Sequence, residues 1–469
     1  MKYFSSLSPV LSWLQRNWHI LAILVIIVLL VRVRLTNDED FRLSIGTDET
    51  VSYISASQIP LDSWEFFTSL RPLTLPLLLK LLEPEHGYQL DVISRPAAEG
   101  SSFRRRAQHG FDRVVLAQLA FSILGWGALA LSVSRHLENP LLKVLSVVLI
   151  LLFAFSQPVA DWDSVIDSSS LTFSLLALSF AIWIEIAFWF PRGYEAGKVK
   201  AGILIALWLA ATTLFAFVRD SNQYILLISA LFVLSLLLLR PMRSKVWPIA
   251  ILALITVLVF GFGLLTARAG MRWKVPLLHA YEYFVFPYQY RMAYFQDTYD
   301  MPEPYTPQFD VWYDQQAPQA YILFLADHPG IVAAELYSNM ETFFSENLQP
   351  YFHGNKKDFN RLQLERIGNI LHPISSVMLY VDLILLGGLI GISLKTRLRR
   401  PLTWLWLAGW WLLSASLMLF VNYFFDSWGV IRHVVYYIQM YRLFFWIYLL
   451  VIIDLLLVYP LPSQLETAP

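Results

Sequence analysis

Apolar residues fall in runs of spanning length from one end of the chain to the other, separated by short polar stretches and by two long ones. A run of about 20 apolar residues is what a helix needs to cross the hydrocarbon core. The pattern predicts ten spans, at about 14–33, 112–133, 140–158, 170–190, 201–218, 222–239, 246–266, 372–394, 402–421 and 435–458. Lipid offers no partner to open backbone groups, so the spans are expected to be helical. The fold class is therefore an all-α polytopic membrane protein of about ten transmembrane helices. Two further apolar stretches do not fit a span. TSLRPLTLPLLLKLL (68–82) is short and broken by proline. YILFLADHPGIVAAELYSNMETFF (321–344) is amphipathic and interrupted at His328-Pro329-Gly330. Both read as interfacial helices, the first with a re-entrant alternative. The polar stretch 86–110 reads as a loop, and no internal repeat is apparent.

Composition adds to this. Of 469 residues, 57% are hydrophobic and 15% charged, where a soluble domain is nearer half apolar and a quarter charged. Lys+Arg and Asp+Glu balance at 35 each, so nothing favours a nucleic acid partner. There is no cysteine, which excludes disulfides and thiolate metal sites. The first apolar run is followed by Arg32-Val33-Arg34 rather than by a small-residue cleavage site, and we read it as a retained helix.

The distribution of charge sets an orientation. The short connections at 134–143, 191–200, 240–245 and 395–400 hold twelve Lys and Arg against Glu138 and Glu195. Short basic loops stay cytoplasmic, which places both termini inside a plasma (inner) membrane. The other face receives 34–111, 159–169, 219–221, 267–371 and 422–434. Three regions follow: an N-terminal membrane module (1–266) with a first outer segment (34–111), a second outer segment (267–371), and C-terminal membrane helices (372–469). Loops of such length usually carry function.

The outer face also carries the acidic clusters. Asp48-Glu49 follows Thr47, an ordinary helix N-cap, so a capping role competes with that of a general base or cation site. Asp161, Asp163 and Asp167 lie within seven residues with no basic neighbour. They read either as a solvated cap on the fourth span or as an acceptor site, with Asp163 and Asp167 as oxygen ligands for a divalent cation. Arg219-Asp220 sits where two spans meet with hardly any loop. It is either an internal ion pair or a phosphate contact through the guanidinium of Arg219. Asp426, Arg432 and His433 precede the last span, and Arg71-Pro72 opens the first interfacial stretch. Asp382 falls mid-span and needs an interhelical partner. Glu185 and Asp454 lie near inner ends, where they can snorkel. No nucleotide-binding, zinc-protease or serine-hydrolase motif is present.

A first span, then Asp48-Glu49, Tyr53 and Arg71-Pro72-Leu73 ahead of an apolar interfacial helix, resembles the GT-C superfamily of integral membrane glycosyltransferases. The likeness is to bacterial members of the protein-mannosyltransferase and aminoarabinose-transferase group, whose pattern has a second proline where this chain has Leu73. In order of elements it covers roughly residues 14–240. It implies inverting transfer of a sugar from a polyprenyl-phosphate donor to an acceptor hydroxyl of a glycan, lipid or protein at the outer face. Asp48 would be the base, with Glu49 orienting. Arg71, Asp163, Asp167, Arg219, Arg432 and His433 would bind substrate. A divalent cation is an open expectation, since the superfamily includes members thought to act without one. Two other readings stand beside this one: a lipid or glycolipid carrier without transferase activity, and a non-catalytic scaffold. Carriers usually place ionisable residues at the midplane, where this chain has only Asp382.

Overall fold

The computed structural model describes residues 8–36, 42–94, 105–189, 198–345, 348–352, 359–426 and 430–459, without the side chains of 8–16, 198, 240–241, 359–360 and 430–432. Among these, nine helices are long and apolar enough to cross a membrane, and there are ten if the bent pair Pro140–Phe155 and Gln157–Ser164 is taken as one span. The ten coincide with the ten runs read from the sequence.

The chain opens with α1 (Ser8–Thr36), β1 (Leu43–Thr47), α2 (Asp48–Gln58), α3 (Trp64–Phe67) and α4 (Thr74–Leu81). The short strands β2 (Ile93–Ser94) and β3 (Arg106–Ala107) then lead to α5 (Asp112–His136), α6 (Pro140–Phe155) and α7 (Gln157–Ala160). After β4 (Val165–Ile166) come α8 (Ser169–Trp189), α9 (Lys198–Ala216), α10 (Tyr224–Ser235) and α11 (Val246–Ala269). The second long segment folds as α12 (Lys274–Ala280), α13 (Gln289–Tyr299), α14 (Pro307–Gln315), α15 (Ala317–Asp327), α16 (Pro329–Ser345) and α17 (Phe359–Leu371). The spans α18 (Val377–Thr396), α19 (Arg399–Phe425) and α20 (Val430–Val458) complete the bundle.

The third span bends by 54° after Phe155. Ser156 takes extended dihedrals (φ −80°, ψ 159°) and Pro158 follows; proline cannot donate to the helical ladder. The bend is pinned from outside. His372 lies 2.8 Å from Ser156 Oγ through Nε2 and 2.6 Å from Gln439 Oε1 through Nδ1.

The core lies between α5, α8, α19 and α20. Helix α8 is buried on nearly every side, and Gly125 on α5 lets it approach, since a Cβ there would lie 2.3 Å from Ser174 O. Trp183, Trp208, Trp406, Trp410 and Phe180 stack between helices, and the indoles of Trp406 and Trp410 donate to Ser235 and Ser229. A buried Trp N–H usually finds such a partner, although those of Trp183 and Trp208 have none among the described residues.

One expectation changes at the end with the short basic loops. Asp454 does not snorkel. It is buried, accepts from the backbone N–H groups of Glu138 and Asn139, and pairs with Arg400 at 2.7 Å. Glu185, by contrast, is partly exposed and pairs with the exposed Arg135 at 3.2 Å, which leaves its expectation standing. Asp382 is fully buried on α18, with neither oxygen hydrogen-bonded among the described residues.

Candidate active site

At the opposite end of the bundle the stretch expected as a plain loop, 86–110, contributes strands to a small sheet built on β1. Strand β1 runs parallel to β2 (Gly46↔Ile93, Thr47↔Ser94) and antiparallel to β3 (Leu43↔Ala107, Ser44↔Arg106). It also runs parallel to β4, with Ile45 opposite Val165 and Gly46 opposite Ile166. Parallel strands release the chain at the same end. Asp48-Glu49 therefore leaves β1 beside Asp167, which leaves β4. A side-chain staple holds the two together: Thr50 Oγ1 accepts from Thr47 N at 2.7 Å and donates to Ile166 O at 2.6 Å. The capping role expected for Thr47 is present as a capping box with Thr50.

The members of the acidic pair differ. Asp48 is exposed and Glu49 half-buried. Glu49 is held by Arg71, whose Nη1 donates to its carboxylate at 3.2 Å while Nε donates to Ser52 Oγ at 2.6 Å. The same guanidinium lies over the ring of Tyr53, 4.8 Å from its centroid. Arg71 thus meets the first acidic pair directly, through the α2–α4 packing.

Asp167 is buried and caps α8, accepting from Ser169 N at 2.7 Å. Burial pushes its carboxyl up to about 6; the Ser169 hydrogen bonds oppose that, the Glu49 charge adds to it, and Arg219 draws it down. Arg219 lies over Tyr436 at 4.9 Å and also feels the Glu49 charge. The internal Arg219–Asp220 pair that the sequence left open does not hold. Asp220 is gripped instead by Arg272, at 2.8 and 3.1 Å, and by Gln223. The guanidinium of Arg219 is turned toward the tyrosines and the acids.

His433 is buried, with Nδ1 2.7 Å from Asp426, and His279 of α12 approaches the other oxygen at 3.2 Å. Burial would raise the Asp426 carboxyl. The charge and hydrogen bond of His433, the hydrogen bond of His279 and the Arg219 charge outweigh it and hold it well below the usual carboxylate range. His279 belongs to the second long segment, and nothing in its local sequence marks it. The side chain of Arg432 lies outside the described residues.

The reading of 161–167 as acids without a basic partner is overturned. Arg34 at the end of α1 pairs with Asp163 at 3.0 Å, and Arg361 of α17 pairs with Asp161 at 2.8 Å, all four buried. The other oxygen of Asp163 accepts from Ser170 at 2.7 Å. Among the described residues no group of three or more His, Cys, Asp or Glu could hold a metal ion.

No protein-family model matches the chain, and no curated protein matches it. Solved structures do. The chain is similar to the archaeal oligosaccharyltransferase AglB from Archaeoglobus fulgidus in complex with an inhibitory peptide and a dolichol-phosphate, at TM-score 0.48 and 11% identity over 97% of this chain and 53% of that one. It is similar to the apo form of the Archaeoglobus fulgidus oligosaccharyltransferase at TM-score 0.48 and 12% identity, over 97% and 52%. The form tethered to an acceptor peptide gives TM-score 0.46 and 11% identity, over 96% and 51%. The chain spans about half the length of these structures.

Proposed function

We propose that this protein is a membrane glycosyltransferase that moves a sugar from a polyprenyl-phosphate donor to an acceptor hydroxyl at the extracytoplasmic face, with inversion. The observation that supports it most is the parallel pairing of β1 with β4. It sets Asp48-Glu49 and Asp167 side by side, with Arg71 and Arg219 in the same electrostatic neighbourhood.

In this reading Asp48, the accessible member of the pair, takes the acceptor proton as the hydroxyl oxygen attacks the anomeric carbon. Glu49, held by Arg71, orients the acceptor. The anomeric C–O bond breaks and its electron pair goes to the phosphate oxygen, so the carrier leaves as an anion. A cation aimed at that developing charge lowers the barrier without a separate acid. Arg219 supplies it, since Asp220 is already taken by Arg272. Asp167 receives an acceptor hydroxyl. His433, paired with Asp426, borders the donor side.

The test is turnover. Purified protein is incubated with a panel of polyprenyl-phosphate sugars and candidate glycan, lipid and peptide acceptors. Release of free polyprenyl phosphate with a product of opposite anomeric configuration is expected. Binding of the lipid donor with no turnover of any member would favour the carrier reading and overturn this one.

A further inference from the structure

Five carboxylates at this end of the bundle each pair with an arginine. Glu49 has Arg71, Asp220 has Arg272, Glu335 has Arg291, Asp163 has Arg34 and Asp161 has Arg361. The last two pairs lie on the segment between the bend of the third span and α8, and all four of their side chains are buried. Two buried carboxylates two residues apart need positive charge close by. A divalent cation is one source. Here the chain brings two guanidinium groups from opposite directions instead, one from the last turn of α1 and one from α17.

We infer that Arg34 and Arg361 are the resident counter-cations of Asp163 and Asp161, in the place of a divalent metal, and that the site works without one. The geometry leaves little room for both. Arg34 also donates to Ala160 O at 2.9 Å, and Ser170 holds the second oxygen of Asp163. A hard cation needs several oxygens around one point. To gather these it would have to displace Arg34 or Arg361 and leave a buried guanidinium without its counter-ion. The arginines also have a positioning role that a bound ion would not. Arg361 ties the end of the second long segment, and Arg34 the first span, to the turn Asp161–Ser164 that leads into the strand ahead of Asp167. The statement about transfer rests on the proposed function; the statement about cation binding does not.

The experiment uses the full chain and Mn²⁺ alone as the probe, followed by its EPR signal. No saturable binding is expected at micromolar Mn²⁺. Where a donor is turned over, excess EDTA is expected to change the rate by less than about twofold, well within a single order of magnitude in the equilibrium. Arg361→Gln leaves Asp161 without its counter-ion. It should lower the melting temperature, and Mg²⁺ should restore part of the loss in this variant but not in Arg361→Gln combined with Asp161→Asn. Saturable Mn²⁺ binding to the wild type that disappears in Asp163→Asn overturns the inference. If Arg361→Gln does not fold, the wild-type titration decides alone. A chain that turns over no donor defeats the proposed function and leaves the EPR result standing.

Discussion

Asp48 and Glu49 are neighbours with unequal exposure, and the roles proposed for them follow from it. Glu49 is half-buried and pairs with Arg71 at 3.2 Å; Asp48 is exposed in the first turn of α2. Asp48→Asn should keep the fold and lower kcat by about a hundred- to ten-thousand-fold, the range that a general base contributes; a variant that turns over normally moves the base elsewhere. For Arg219 the informative change is to lysine, which keeps the charge and loses the fork. Donor KM should rise by roughly ten- to a hundredfold, as loss of a charged hydrogen bond implies, with melting temperature unmoved. Unchanged KM with lowered stability would make Arg219 a structural residue. Asp167 gives a pH signature. Its carboxyl is raised by burial from 3.8 to about 6 in the folded protein, so between these values the folded state holds the proton more tightly than the unfolded. That contribution is complete below about pH 4 and is lost as pH rises through about 6. It amounts to roughly 3 kcal/mol at 1.36 kcal/mol per unit. Melting curves from pH 4 to 7 should show the wild type falling relative to Asp167→Asn; parallel curves would refute the assignment. At this scale the sequence marked Asp48, Arg71, Asp167 and Arg219 as residues worth attention. It could not mark their partners. Arg34, Arg272 and Arg361 lie far along the chain from Asp163, Asp220 and Asp161, and only the fold brings them together.

The elements divide by how much of their cause is local. Each span was legible because lipid demands a long apolar run; nine reappear as single helices with ends shifted by a few residues, and the third as a bent pair. The break at His328-Pro329-Gly330 likewise separates α15 from α16. The sheet was not legible. Strands of two residues, Ile93–Ser94, Arg106–Ala107 and Val165–Ile166, are too short for an alternating pattern, and they exist only through pairing with Leu43–Thr47. Yet this small sheet places the acids. Thr50→Val tests it while keeping the side-chain shape. The substitution leaves Thr47 N and Ile166 O, both buried partners of the hydroxyl, without their bonds, at about 1–3 kcal/mol for an unsatisfied buried group. We expect a lowered melting temperature and a loss of kcat larger than any change in donor KM, because the acids shift relative to one another. An unaltered kcat in a destabilised protein would mean that the staple supports the fold and not the site.

For the whole molecule the governing asymmetry is charge. Helix ends with basic connections gather at one end, where Arg400 joins Asp454 and Glu138 and Arg135 meets Glu185. The sheet, the two long segments and the arginine pairs of Glu49, Asp161, Asp163, Asp220 and Glu335 gather at the other. Short basic loops resist translocation, so the second end should face away from the cytoplasm, where a lipid-linked sugar and an acceptor hydroxyl could meet. The lack of any cysteine in the sequence makes this measurable without background. Gln308, exposed on α14 within the second long segment, and Lys395, exposed in the last turn of α18, are each replaced singly by cysteine. Intact cells are then treated with a membrane-impermeant maleimide. The thiol at 308 should be labelled in intact cells, and the thiol at 395 only after the membrane is opened. The reverse pattern would place the acids, the arginines and the long segments on the cytoplasmic side, and with them any donor that this site could use.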